Sequence, residues 1–132
     1  SPTGLCVNDA TNTMYVVSKE NNSLYEVNLT TKNFVAYPLG SEAYTCLLSA
    51  DKKQLYISLW GKDQLLIWDT ETKQSTKKLA IGDNPNELLL TKNGSYLYVA
   101  NANDNSVAVV DTKTLNIVEV LNCALFANAL YN

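Results

Sequence analysis

The chain has no histidine, only three cysteines and three prolines in 132 residues, and ten Lys+Arg against thirteen Asp+Glu. The missing imidazole excludes Ser-His-Asp and Cys-His nucleophile activation, histidine-ligated zinc or copper, and histidine-ligated haem. With few basic residues the net charge is -3 and the pI about 4.8. That argues against a generic phosphate-backbone binder, which clusters Lys and Arg, and leaves local basic surface open. No apolar run approaches the roughly 18 to 20 residues that span a bilayer. The most hydrophobic stretch, Leu121 to Tyr131, is interrupted by Asn122 and Asn128, so no membrane span is expected. The segment from Ser1 has no positive n-region and no apolar h-region, so a signal peptide, if the protein has one, lies outside this chain. Cys6, Cys46 and Cys123 lack metal-type spacing. Cys6 and Cys46 sit in apolar alternating runs, where cysteine behaves as a small buried hydrophobe, so three free thiols are expected.

What is present is one domain's worth of ordinary globular composition, 46% hydrophobic and 17% charged. An internal repeat organises it. Pro2-Thr-Gly-Leu-Cys-Val-Asn8 aligns with Ala43-Tyr-Thr-Cys-Leu-Leu-Ser49 and with Pro85-Asn-Glu-Leu-Leu-Leu-Thr91. Tyr15, Tyr56 and Tyr98 are spaced by 41 and 42 residues, as are Asn28, Asp69 and Asp111, and Gly40 matches Gly82. Within each unit, four short alternating or apolar runs are separated by turn residues, which is the strand signal. In the third unit the runs cover Asn86–Thr91, Tyr96–Asn101, Ser106–Thr112 and Asn116–Leu121. Lys92-Asn93-Gly94-Ser95 reads as a hairpin turn in which Asn-Gly accepts positive φ. Asp111 is placed to accept local backbone N–H groups at the turn into the fourth strand.

Four antiparallel strands repeating every 40 to 45 residues make the blade of a β-propeller. A β-sandwich has strands at similar spacing, but nothing in it requires Tyr, Gly and Asp to recur at blade length. The fold class is therefore all-β, with blade units at 1–40, 41–82 and 83–122, and 123–132 leading into a further blade or tail. Three blades are fewer than the four to eight that usually close a ring. The partners expected first are the remaining blades, in the same chain or through homo-oligomerisation. The segment reading is preferred, because the chain starts directly on a strand and ends in what resembles the lead into a fourth unit.

The run from Pro85 to Thr112, with Asn93-Gly94, Tyr98-Val-Ala-Asn101 and Ser106-Val-Ala-Val-Val-Asp-Thr112, resembles the YVTN-type repeat of YncE-like and surface-layer propellers within the lactonase-like superfamily. The resemblance covers nearly the whole chain and is sharpest in the third unit. It implies a bacterial protein, periplasmic, secreted or at the cell surface. The same blade type occurs in lactonase-like propellers and in a propeller domain fused to an alkaline-phosphatase-type phosphoesterase, so it carries no single activity. Trp68-Asp69 imitates the dipeptide of WD40 blades, but those also use a histidine that this chain lacks.

In a blade, the loop before the first strand and the loop between the second and third strands emerge on one face, around the channel mouth. Those loops hold the ligand-binding candidates Tyr44, Trp60, Lys19, Lys62, Asn84, Asn86 and Asn101. Trp60 is a non-repeating aromatic where the other units have Lys19 and Ala102, and aromatic anchors are favoured at binding surfaces. Its alternative role is to cover the neighbouring blade. Tyr44 stands beside the repeat's proline position and is expected near Trp60. For the asparagines, turn chemistry is the stronger account. Glu42 and Asp83, with Glu87 and Asp104, are weak metal candidates, because calcium wants six to eight oxygens and no Asp-x-Asp-x-Asp loop is present. No cofactor and no catalytic residue is expected in this stretch. Tyr15, Tyr56, Tyr98 and Trp68 read as blade packing. Asn21, Asn28 and Asn93 fit the glycosylation acceptor pattern, which Asn-rich turns match too often to prove secretion.

The sequence thus predicts a non-catalytic binding or scaffolding propeller segment with a small-molecule or protein ligand at the mouth. The alternatives are the propeller portion of an enzyme, or a single-stranded nucleic-acid binder using Trp60, Tyr44, Lys19 and Lys62.

Overall fold

A computed structural model of the protein describes residues 1–123; all of the expected lead into a fourth unit except Cys123 lies outside the described residues. Twelve strands form three four-stranded antiparallel sheets, each in chain order. The first holds β1 (Pro2–Asn8), β2 (Thr13–Ser18), β3 (Ser23–Asn28) and β4 (Phe34–Pro38). The second holds β5 (Cys46–Leu48), β6 (Gln54–Leu59), β7 (Gln64–Asp69) and β8 (Gln74–Ala80). The third holds β9 (Pro85–Leu90), β10 (Tyr96–Asn101), β11 (Ser106–Asp111) and β12 (Asn116–Asn122). Strand edges in the third unit fall within a residue of the expected runs.

Turn chemistry repeats with the sequence. Asn28, Asp69 and Asp111 each take two backbone N–H groups on Oδ1, from the residues two and three positions on, at 2.8–3.1 Å. These Asx turns end in left-handed residues at Lys32, Lys73 and Leu115. The other turns do the same at Asn22, Asp63 and Asn105, whose carbonyls take the N–H of Leu39, Ile81 and Cys123. The Asn93-Gly94 turn departs from expectation in one respect. Gly94 alone has positive φ, +76°, while Asn93 acts as an acceptor, taking the Ser95 N–H at 3.0 Å.

The second unit's first strand is shorter than the alignment implies. Tyr44 and Thr45 both face Ser58: Tyr44 N–H donates to the Ser58 carbonyl at 2.9 Å, and Ser58 N–H donates to the Thr45 carbonyl at 3.1 Å. Two residues opposite one is a β-bulge, and it leaves only Cys46–Leu48 in the regular ladder.

The sheets stack face to face through two apolar layers. Tyr15, Val17 and Leu24 of the first sheet pack with Cys46, Leu48, Leu55, Ile57 and Trp68 of the second. Tyr56, Leu65 and Ile67 of the second pack with Leu88, Leu97, Val99 and Val110 of the third. The periodic tyrosine thus faces the next blade each time: Tyr15 is 3% exposed and Tyr56 2%. Tyr98, third in the series, has no described blade beyond it. It lines an apolar hollow of about 340 Å³ with Leu89, Val107 and Leu121. Leu89 is 68% exposed there, and Leu5, on the opposite outer face, is 61% exposed.

Candidate functional site

The innermost strands β1, β5 and β9 run beside one another, with β5 in contact with both of the others. At Gly4 the backbones come so close that an added Cβ would lie 2.6 Å from the Cα of Thr45. The loops entering β5 and β9 and the turns after β2, β6 and β10 consequently gather at one end.

Trp60 opens a single 3₁₀ turn, Trp60–Lys62, that ends on left-handed Asp63. The Nζ of Lys19, from the equivalent turn of the first blade, sits 3.9 Å from the centre of the Trp60 ring. From the third blade's entry loop, Asn84 clasps the same turn: its Nδ2 donates to the Trp60 carbonyl at 3.0 Å and its backbone N–H to Asp63 Oδ1 at 2.9 Å. Asn103 Nδ2 donates to Asn84 Oδ1. Asp104 takes the Asp83 N–H at 3.0 Å and the Ser106 hydroxyl at 2.5 Å, and these hydrogen bonds, the serine's foremost, hold its carboxyl below the ordinary value. Three successive blades therefore contribute to one polar rim.

The other candidates are placed differently. Lys62 is exposed at the end of the 3₁₀ turn. Tyr44 is half-buried at the bulge opposite Ser58. Its expected proximity to Trp60 yields no ring pair, since the paired rings among the described residues are Tyr25–Phe34 and Tyr37–Trp68. Asn101 is turned inward, 2% exposed, with Nδ2 donating to the Ile81 carbonyl and the Ser106 hydroxyl. Asn86 is spent locally, its Oδ1 taking the Glu87 N–H at 2.7 Å. Glu42 lies beside Gly61, whose N–H donates to the Glu42 carbonyl at 3.3 Å. Glu87 lines the hollow on the open outer face, away from the mouth. Among the described residues no three His, Cys, Asp or Glu side chains gather as a metal site.

Sequence reasoning missed Asp63 and the structural role of the Asp104 carboxylate, which with Asn103 hold the rim together. For Asp63 the signal was periodic, because Asn22, Asp63 and Asn105 occupy the same left-handed turn position. It also passed over the other end of the blades. There Asn8, Thr11, Tyr15, Asp51, Lys52, Lys53 and others line a cavity of about 430 Å³ between the first two blades. Burial, then the nearby Glu26, pushes the Tyr15 phenol up to about 12. A smaller version, about 160 Å³, recurs between the second and third blades around Asp51, Tyr56 and Gly94. A wedge that returns with the repeat belongs to blade geometry, whereas the Lys19–Trp60–Asn84 arrangement occurs once among the described residues.

Three four-stranded sheets stacked through alternating apolar faces, with their innermost strands together and polar turns at one mouth, define a partial β-propeller that further blades complete. Residues 40–119, more than half of the chain, match the seven-bladed β-propeller lactonase family, and the chain belongs to that family. No curated protein gives a significant match. Among solved structures, hydrazine synthase of Kuenenia stuttgartiensis superposes with a TM-score of 0.84 at 20% identity, over 90% of this chain and 35% of that one. A putative 6-phosphogluconolactonase from Bacteroides fragilis gives 0.75 at 20% identity, over 89% and 37%. The WD40 repeats of RRP9 give 0.81 at 22% identity, over 92% and 38%. The chain thus spans less than two fifths of each of these relatives, and at such identities the likeness is one of fold.

Proposed function

We propose that this chain supplies three consecutive blades of a larger YVTN-type, YncE-like propeller, and that the protein binds a small polar molecule or a protein segment at the mouth, with no catalytic residue in this stretch. The observation that carries this reading is Lys19 stacked on the Trp60 ring while Asn84 clasps the backbone of the same turn, so that three blades converge on one turn that carries an aromatic ring. The blade count supports completion within one chain: a family of seven blades cannot be built from whole copies of a three-bladed unit. The YVTN-type resemblance adds a periplasmic or cell-surface location, which fractionation of the source cells tests.

The test of the site starts from a thermal-shift screen of the complete protein against polar small molecules and short peptides. Any ligand found is retitrated against Trp60→Ala, Lys19→Ala and, at the far end, Lys53→Ala. Loss of about tenfold or more in affinity on Trp60→Ala is expected for a central aromatic anchor. A ligand that ignores Trp60 and Lys19 and depends on Lys53 contradicts the assignment.

A second reading is favoured by the family match itself. The complete protein would hydrolyse a lactone, with Glu42 and Asp83, from the loops that enter β5 and β9, as the carboxylates this stretch offers. Turnover of 6-phosphogluconolactone that falls on Glu42→Gln or Asp83→Asn would establish it; the fold alone carries no activity. Nucleic-acid binding has less support, because the chain carries a net charge of -3 and Lys19 already occupies one face of the Trp60 ring. Affinity that falls steeply with salt would restore it.

A further inference from the structure

Cys6 lies on β1 and Cys46 on β5, the adjacent innermost strands of the first two blades, and their Sγ atoms are 3.5 Å apart. Both are free thiols. In the repeat alignment Cys6 corresponds to Leu47 and Leu89, and Cys46 to Leu5 and Leu88. At the next junction the equivalent positions, Leu47 and Leu88, pack together in the second apolar layer. Leu5 and Leu89, whose partners in the series are not among the described residues, are exposed. The fold therefore brings these two positions into contact at both described blade junctions, and of these two the first alone has cysteine at both positions.

We infer that Cys6 and Cys46 form a dithiol that closes to a disulfide between blades when a small disulfide such as oxidised glutathione is present. Cys6 attacks one glutathione sulfur, forming a mixed disulfide and releasing one glutathione. Cys46 then attacks the Cys6 sulfur and releases the second. Two protein thiols are oxidised and one disulfide is reduced to two thiols; the protons of Cys6 and Cys46 end on the two glutathiones. The order follows from access and charge. Cys6 is half-buried and Cys46 buried. The thiol contact with Cys46 draws Cys6 below its ordinary value, with Lys52 adding to the effect, while the same contact and burial push Cys46 up. The thiolate is the attacking species, so Cys6 is the entry point and Cys46 the resolving thiol.

The test is performed on the complete, natively folded protein. It is reduced, exchanged out of reductant, equilibrated with oxidised glutathione, quenched with acid and mapped after alkylation under denaturing conditions. The expected product has lost two hydrogen atoms, contains a Cys6–Cys46 crosslinked peptide, and carries an alkylated Cys123. Cys46→Ser is expected to trap a stable glutathione adduct on Cys6. Cys6→Leu/Cys46→Leu, which copies the neighbouring junction, is expected to remain folded and to yield no crosslink. Alkylation of both Cys6 and Cys46 after oxidation, a lasting adduct on wild-type Cys6, or a crosslink through Cys123 would overturn the inference.

Discussion

Lys52 adopts φ +63° in the turn after β5, where the sister turns carry Asn12 and Gly94. A lysine Cβ is strained in this left-handed conformation and glycine is not, so Lys52→Gly is expected to raise stability by about 0.5–1 kcal/mol, read as a higher urea midpoint at unchanged slope. Its backbone bonds, to Ser49 through N–H and from Thr70 through C=O, stay in place. Ser58 points the other way. It is fully buried, and its hydroxyl donates to the Asn86 carbonyl at 2.8 Å, joining the second blade to the third. Ser58→Ala leaves that carbonyl without its donor and is expected to cost about 1–3 kcal/mol. A midpoint equal to wild type would show that water replaces the hydroxyl. Neither residue stands out in the sequence, because lysine in a turn and serine in a strand are ordinary until φ and burial are known.

At the scale of the element, strands and turns were legible because they repeat. Tyr15, Tyr56 and Tyr98 fixed the period, and Asn28, Asp69 and Asp111 fixed the turn. The bulge at Tyr44-Thr45 was not legible, since it depends on which residue faces Ser58 across the ladder. For the same reason the candidate asparagines separated only in three dimensions: Asn84 reaches another blade, while Asn101 is buried among its own neighbours. The turns also set the response to acid. Backbone donors at Asp69 and Asp111, and the Ser49 hydroxyl at Asp51, hold these carboxyls below their ordinary value. Their contribution is complete above the unfolded-state value near 3.9 and is lost as pH falls through the lower folded values. Urea midpoints measured from pH 6 downward should therefore fall mainly below about pH 4. Asp69→Asn, which copies Asn28, should keep the turn and flatten part of that fall. A loss of stability centred well above pH 4 would contradict this assignment. Between elements, the tightest approach is Gly4 on Thr45, so Gly4→Ala should overpack the first junction and cost about 1–3 kcal/mol in the same assay.

On the scale of the whole molecule, each blade buries the next by the same residues, and the outer faces of the first and third are left with Leu5, Val7 and Leu89 exposed. Faces of this kind on a folded chain are contact surfaces. Here the repeat specifies their partners: the face around Tyr98 is built like those around Tyr15 and Tyr56, each of which receives another blade. The central claim is that further blades of one covalent chain close this ring. The most direct test is the mass of the protein from its native source, under denaturing and native conditions side by side. A single covalent chain with at least roughly 300 residues of propeller, monomeric at the ring, is the result predicted for seven blades of this length. A denatured mass matching these 132 residues alone, whether the native mass shows a monomer or an oligomer, would contradict it.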